Sequence, residues 1–109
     1  MEPCYLLISL HKWKAFSGDI YFPENYEAEG FIHLCKKDQI EWVANSFLKE
    51  VNDLAALELD LEPWKAKVQW ADVPGVGCFP HLHAGLPRKC VQKIATLSRA
   101  EDGSWKISF

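Results

Sequence analysis

No two of the four cysteines, Cys4, Cys35, Cys78 and Cys90, form a Cys-x-x-Cys pair. The usual signatures of a zinc ribbon and of a dithiol redox site are therefore missing. Free thiols of this kind suit a reducing compartment, and most of them read as small buried hydrophobes. No basic leader precedes the first apolar stretch, which ends at Leu10 and is too short for a signal peptide or a bilayer span. The expected location is the cytoplasm, without membrane contact. Lysine and arginine form no stripe: twelve basic residues are interspersed among fifteen acidic ones, for a net charge of −3. Nucleic acid is accordingly not an expected partner. The nearest approach, Arg88-Lys89 with Lys93 behind it, reads as a solvated turn and strand edge. Repeats, linkers and low-complexity tracts are absent as well. The 109 residues fit one domain, 1–109, large enough to hold a core without disulfides or metal.

What is present is a chain of short apolar segments with clear punctuation. Cys4 to Ser9 is β-friendly, and Ser9 can cap a helix running to about Phe16, which Gly18-Asp19 ends. Residues 24–29 read as an acidic, irregular loop, and Gly30 opens a strand from Phe31 to Cys35. Asp38 and Glu41 have the spacing of a capping box. Behind them Ile40, Val43, Ala44, Phe47, Leu48 and Val51 recur at helical spacing, predicting a helix over 39–51. Residues 54–61 alternate apolar and acidic, as a strand with one wet face does. Strands are also expected over 67–70 and 90–97, with 72–87 as a long Gly/Pro-rich loop between them. The order β-α-β-α followed by strands indicates an α+β fold: two helices on small mixed sheets, mainly antiparallel.

Two blocks stand out, Gly30-Phe31-Ile32-His33-Leu34-Cys35 and Phe79-Pro80-His81-Leu82-His83. Each is an apolar run broken by histidine, and a buried imidazole needs a partner for both ring nitrogens. Alternation along a strand places Phe31, His33 and Cys35 on one face and Ile32 and Leu34 on the other. Pro80 holds Phe79 extended, so His81 and His83 share a face if extension continues. Several chemistries fit. His33, Cys35, His81 and His83 are zinc-ligand types, but the pairs match no known ligand spacing, so no metal ligands are assigned. Cys35 beside a histidine could be a thiol nucleophile. A ligand cleft would use the imidazoles on hydroxyls or phosphates and aromatic rings for stacking, with Trp13 and the Tyr21-Phe22 pair as the rings nearest in sequence. The plain structural alternative has the histidines tying loop 72–87 to strand 30–35. Glu24, Glu27 and Glu29 read as a solvated acidic loop.

At these blocks the chain resembles an uncharacterised family, domain of unknown function 952. Its carriers are Tyr5, Trp13, Gly30-Phe31-Ile32-His33-Leu34, Gln39, Leu57 to Asp60, Trp70, Phe79-Pro80-His81-Leu82 and Leu86-Pro87. The resemblance implies an ADP-ribosyltransferase-like fold, two small sheets around a cleft that holds NAD in active relatives. It also exposes departures. Leu6 stands where a polar His or Lys is common, Ala71 where Glu is common, His83 where Tyr is usual and Cys35 where Ser is usual. A carboxylate near the ribose is expected to steady the cationic species formed when nicotinamide leaves, and Ala71 removes the obvious one, with Asp72 as a neighbouring substitute. The resulting expectation is an NAD- or ADP-ribose-binding site formed by Trp13, Tyr21, His33, Cys35, Phe79, His81 and His83. His33 is its candidate catalytic residue, and a nucleotide-type small molecule is its partner. The alternative is a non-catalytic ligand-binding or protein-interaction module.

Overall fold

A computed structural model describes all of residues 1–109. Strand β1 (Cys4–Ser9) pairs with β4 (Leu54–Leu59), and β4 pairs in turn with β8 (Val91–Thr96), both antiparallel. In β4 the two faces feed two different cores. Leu57 and Leu59 pack with Cys4, Leu6 and Ile8 of β1, while Leu54 and Ala56 pack with Tyr5. The wet face expected for this strand is therefore covered. Only Glu58 remains partly exposed on it, accepting a 2.9 Å hydrogen bond from the Tyr5 hydroxyl.

A second sheet has β6 (Gly77–Leu82) at its centre, between β3 (Ile32–His33) and β5 (Val68–Val73). The expected long loop over 72–87 is thus mostly a hairpin. Gly75 and Gly77, at φ of 79° and 140°, supply the positive-φ geometry the reversal needs. Pro80 is tolerated in a central strand because its backbone faces β3 just where that ladder has ended. Its carbonyl still accepts from Leu34 N–H at 3.1 Å, while its missing N–H leaves the reciprocal bond to the Leu34 carbonyl unmade. The two sheets join through reciprocal bonds between Tyr5 and Cys35, at 2.8 and 3.0 Å. Two smaller ladders complete the fold: β2 (Ile20–Tyr21) with β7 (Leu86–Pro87), and β9 (Ser98–Arg99) with β10 (Trp105–Lys106).

Helix α1 (Leu10–Ala15) begins as the sequence indicates, with the Ser9 hydroxyl accepting from Lys12 N–H. Asp53 reinforces this start by accepting from His11 N–H at 2.7 Å and from the Ser9 hydroxyl at 2.8 Å. Residues 24–29 are not irregular throughout. They contain a single helical turn, α2 (Tyr26–Glu29), and Gly30 closes it at φ 80° instead of opening a strand.

Helix α3 (Ile40–Phe47) is shorter at both ends than its apolar periodicity suggests. Gln39 makes the side-chain bond to a preceding backbone N–H, accepting from Lys36 at 2.9 Å. Glu41, expected in the capping box, instead accepts from Ile107 N–H. Just beyond the other end, backbone carbonyls go to distant donors. Trp105 Nε1 donates to Leu48, and the Arg99 guanidinium donates to Lys49 and Val51. Because the helix stops there, Phe47 is 71% exposed, while Ile40 and Ala44 are fully buried. No helix is long and apolar enough to cross a membrane.

Candidate functional site

Register decides where the two histidine blocks meet. His33 of β3 pairs with His81 of β6, and His81 pairs with Gln69 of β5, so these three side chains form a row on one sheet face. Ile32 and Leu82 point to the opposite face, into the core that contains Leu57 and Leu59. The His33 and His81 rings lie 5.1 Å apart, edge to face. Phe31 sits at the hub of the group. It stacks on His81 at 4.0 Å with planes 11° apart, and lies 4.8 Å from His33 and 5.3 Å from His83. The His83 backbone N–H is fixed by the Lys67 carbonyl at 2.7 Å.

Glu29 supplies the carboxylate. The α2 turn and the left-handed Gly30 fold the chain back so that Glu29 Oε2 meets His33 Nε2. The other oxygen accepts from Asn25 Nδ2 at 2.6 Å, which fixes the carboxylate from both sides. With Nε2 engaged, Nδ1 is the nitrogen of His33 left for a ligand. His81 has different surroundings. Partial burial first, then the neighbouring imidazoles of His33 and His83, hold its pKa below the ordinary histidine value, against a smaller opposing pull from Glu29. On this face a half-buried imidazole that prefers to be neutral adjoins one bonded to a carboxylate.

The remaining expected residues are placed elsewhere. Cys35 is 2% exposed, packed beneath α3, and burial pushes its thiol up to about 12. It does not line an open face, and both burial and the raised pKa disfavour the thiolate that a nucleophile needs. Phe79 shares the histidine face, but α3 covers that end of the sheet; it is 6% exposed and lies 5.6 Å from Trp42. Trp13 is 5% exposed and packs at 5.7 Å from Phe16 and 5.9 Å from Tyr21, under the Arg88 guanidinium. Trp13 and Tyr21 thus belong to a separate aromatic group. Leu6 is core, and Asp72, one residue out of phase with Gln69 and Ala71, points to the sheet face away from the histidines. Three contributors were not assigned from sequence: Phe31 as hub, Gln69 as neighbour and Glu29 as partner. The spacing Glu29-Gly30-x-x-His33 is a usable signal only once Gly30 is recognised as a left-handed turn.

No group of three His, Cys, Asp or Glu side chains converges to hold a metal ion. A hollow of about 650 Å³ opens elsewhere, between α3 and the β9–β10 turn. Several of its polar side chains are already engaged. Asn45 bonds the Trp105 backbone twice, Arg99 bonds three carbonyls, and Asp102 accepts from Ser104. The histidine face is the better candidate because its imidazoles keep unspent nitrogens.

The sequence pattern of a family described as "Protein of unknown function (DUF952)" matches residues 7–94. The chain belongs to this family. The matched span contains the whole histidine face, from Glu29 to His83. Among solved structures, the crystal structure of protein CC0527 from Caulobacter crescentus is 27% identical and covers 95% of this chain and 93% of its own, with a TM-score of 0.82. The solution structure of the same protein is 29% identical, covers 95% and 91%, and has a TM-score of 0.76. The small antiparallel α+β architecture is thus shared with a solved protein along nearly its full length. No curated protein matches the chain.

Proposed function

We propose that this DUF952 domain binds a small molecule containing ADP-ribose, NAD included, on the face formed by Phe31, His33, His81 and His83. One observation carries the reading: three imidazoles gather around a single phenyl ring on an open sheet face, one of them tied to a fixed carboxylate. Imidazole nitrogens suit both ribose hydroxyls and phosphate oxygens, and a carboxylate suits hydroxyls. In this reading His33 and Glu29 address the ribose, and His81 and His83 address a phosphate. Glu29 takes the place of the carboxylate that Ala71 lacks. Cys35 and Phe79, covered by α3, and Trp13, buried in the other core, make no ligand contact.

The test is thermal denaturation with ADP-ribose, NAD, AMP and inorganic phosphate. A ligand at a hundred times its dissociation constant adds about 2.7 kcal/mol to the native state. ADP-ribose compounds should raise the midpoint more than phosphate does, and His33→Ala should remove the increment while leaving the unliganded midpoint in place. An equal increment in His33→Ala, or none with any ADP-ribose compound, refutes the proposal.

A further inference from the structure

Building on that binding reading, we infer that His33 and His81 act as general acid and general base on a ribose cyclic phosphodiester, with Glu29 as the residue that positions His33. Paired strands fix the two rings 5.1 Å apart, so they can reach different oxygens of one phosphorus atom lying over the face. Their surroundings differ in the sense that divides acid from base. His33 is bonded at Nε2 by a carboxylate that Asn25 also holds, and presents Nδ1. His81 has no carboxylate bonded to it. It is flanked by Phe31, His33 and His83 and favours its neutral, proton-accepting form.

The rest of the face limits the chemistry. It offers no accessible thiol, since Cys35 is buried and Cys78 stands further along the hairpin beside Asp72, and the Glu29 carboxylate is engaged by His33 and Asn25. The attacking group is therefore water. With Glu29 as a carboxylate and His33 entering as the acid that the scheme requires, the two charges cancel, which suits a monoanionic diester better than a dianionic monoester. A cyclic diester on ribose also carries ring strain that eases opening. In the step, water attacks phosphorus and gives a proton to His81. The bond from phosphorus to one ribose oxygen breaks, and that oxygen takes a proton from His33. The product is a ribose phosphomonoester, one water having been added. Proton exchange with solvent then restores both imidazoles.

The experiment uses 2′,3′-cyclic AMP and the intact chain, with turnover followed by chromatography and binding by calorimetry. Expected are a bell-shaped pH profile and a loss of about a hundredfold or more in kcat for His33→Gln and for His81→Gln, within the usual range for removing an acid or base. Glu29→Gln should lower kcat and change the alkaline side of the profile, which a merely structural role would not do. Binding without turnover overturns the acid–base pair and leaves the binding reading standing. The absence of both overturns the pair, and the binding reading falls with it only if ADP-ribose gives no binding heat in the same calorimetry. Turnover undiminished in either histidine variant also overturns the pair.

Discussion

His81 shows how one residue's surroundings set its chemistry. Its ring is stacked on Phe31, half-buried, and faced by His33, His83 and Glu29. Its folded pKa lies below the unfolded value of 6.5, so in the interval between them the unfolded chain binds more protons. Stability should therefore fall as pH drops through about 6.5 and level off below the folded pKa. Chemical denaturation at stepped pH should show this slope, and His81→Gln should remove it. The carboxylates held low by hydrogen bonds, Asp53 and Asp102, act in a separate window. Their contribution is present above the ordinary value of 3.8 and is lost as pH falls through their lowered values.

Among the elements, the histidine-bearing hairpin depends on a single buried amide. Gln39 accepts from Lys36 N–H at 2.9 Å and donates to the Cys78 carbonyl at 2.9 Å, joining the start of α3 to β6. Gln39→Ala would leave both backbone groups without partners, at a cost of about 1–3 kcal/mol each if they stay buried. Urea denaturation should show a loss in that range, and hydrogen exchange should quicken first over residues 77–79. An unchanged midpoint would mean that water replaces the amide. The end of α3 shows how much of an element's length is set from outside. Apolar spacing alone continues to Val51, yet the helix stops at Phe47, and the carbonyls just beyond it, at Leu48, Lys49 and Val51, are taken by Trp105 and Arg99.

In the molecule as a whole, two cores lie on opposite faces of the same strands, and the C-terminal segment closes the second. Trp105 is 2% exposed, is bonded to Asn45 and Leu48, and lies under the Arg99 guanidinium at 3.7 Å. Trp105→Ala should destabilise the fold by about 3–5 kcal/mol, as large-to-small core changes do. Calorimetry should show a correspondingly lower midpoint. The histidine face lies on the other three-stranded sheet, so ligand affinity measured well below that midpoint should change little. A large affinity loss in a folded Trp105→Ala chain would show that the two sheets are coupled through Tyr5 and Cys35.

The α+β class, the start of α1 and the alternation that puts His33 and Cys35 on one side and Ile32 and Leu34 on the other were all legible in the residues alone. These follow from local periodicity and capping, which act within a few residues. The sequence also singled out His33 and His81. Which parts of each face are covered depends on the packing of distant segments. Cys35 and Phe79 share the histidines' side of the sheet, yet α3 lies over them and leaves the other end open. Likewise, nothing local shows that Glu29 turns back to His33, since that depends on a left-handed Gly30 and on β3 being anchored by β6. Burial and pairing are long-range properties: a side chain's solvent is set by the segment that happens to pack against it, and that segment is far away along the chain.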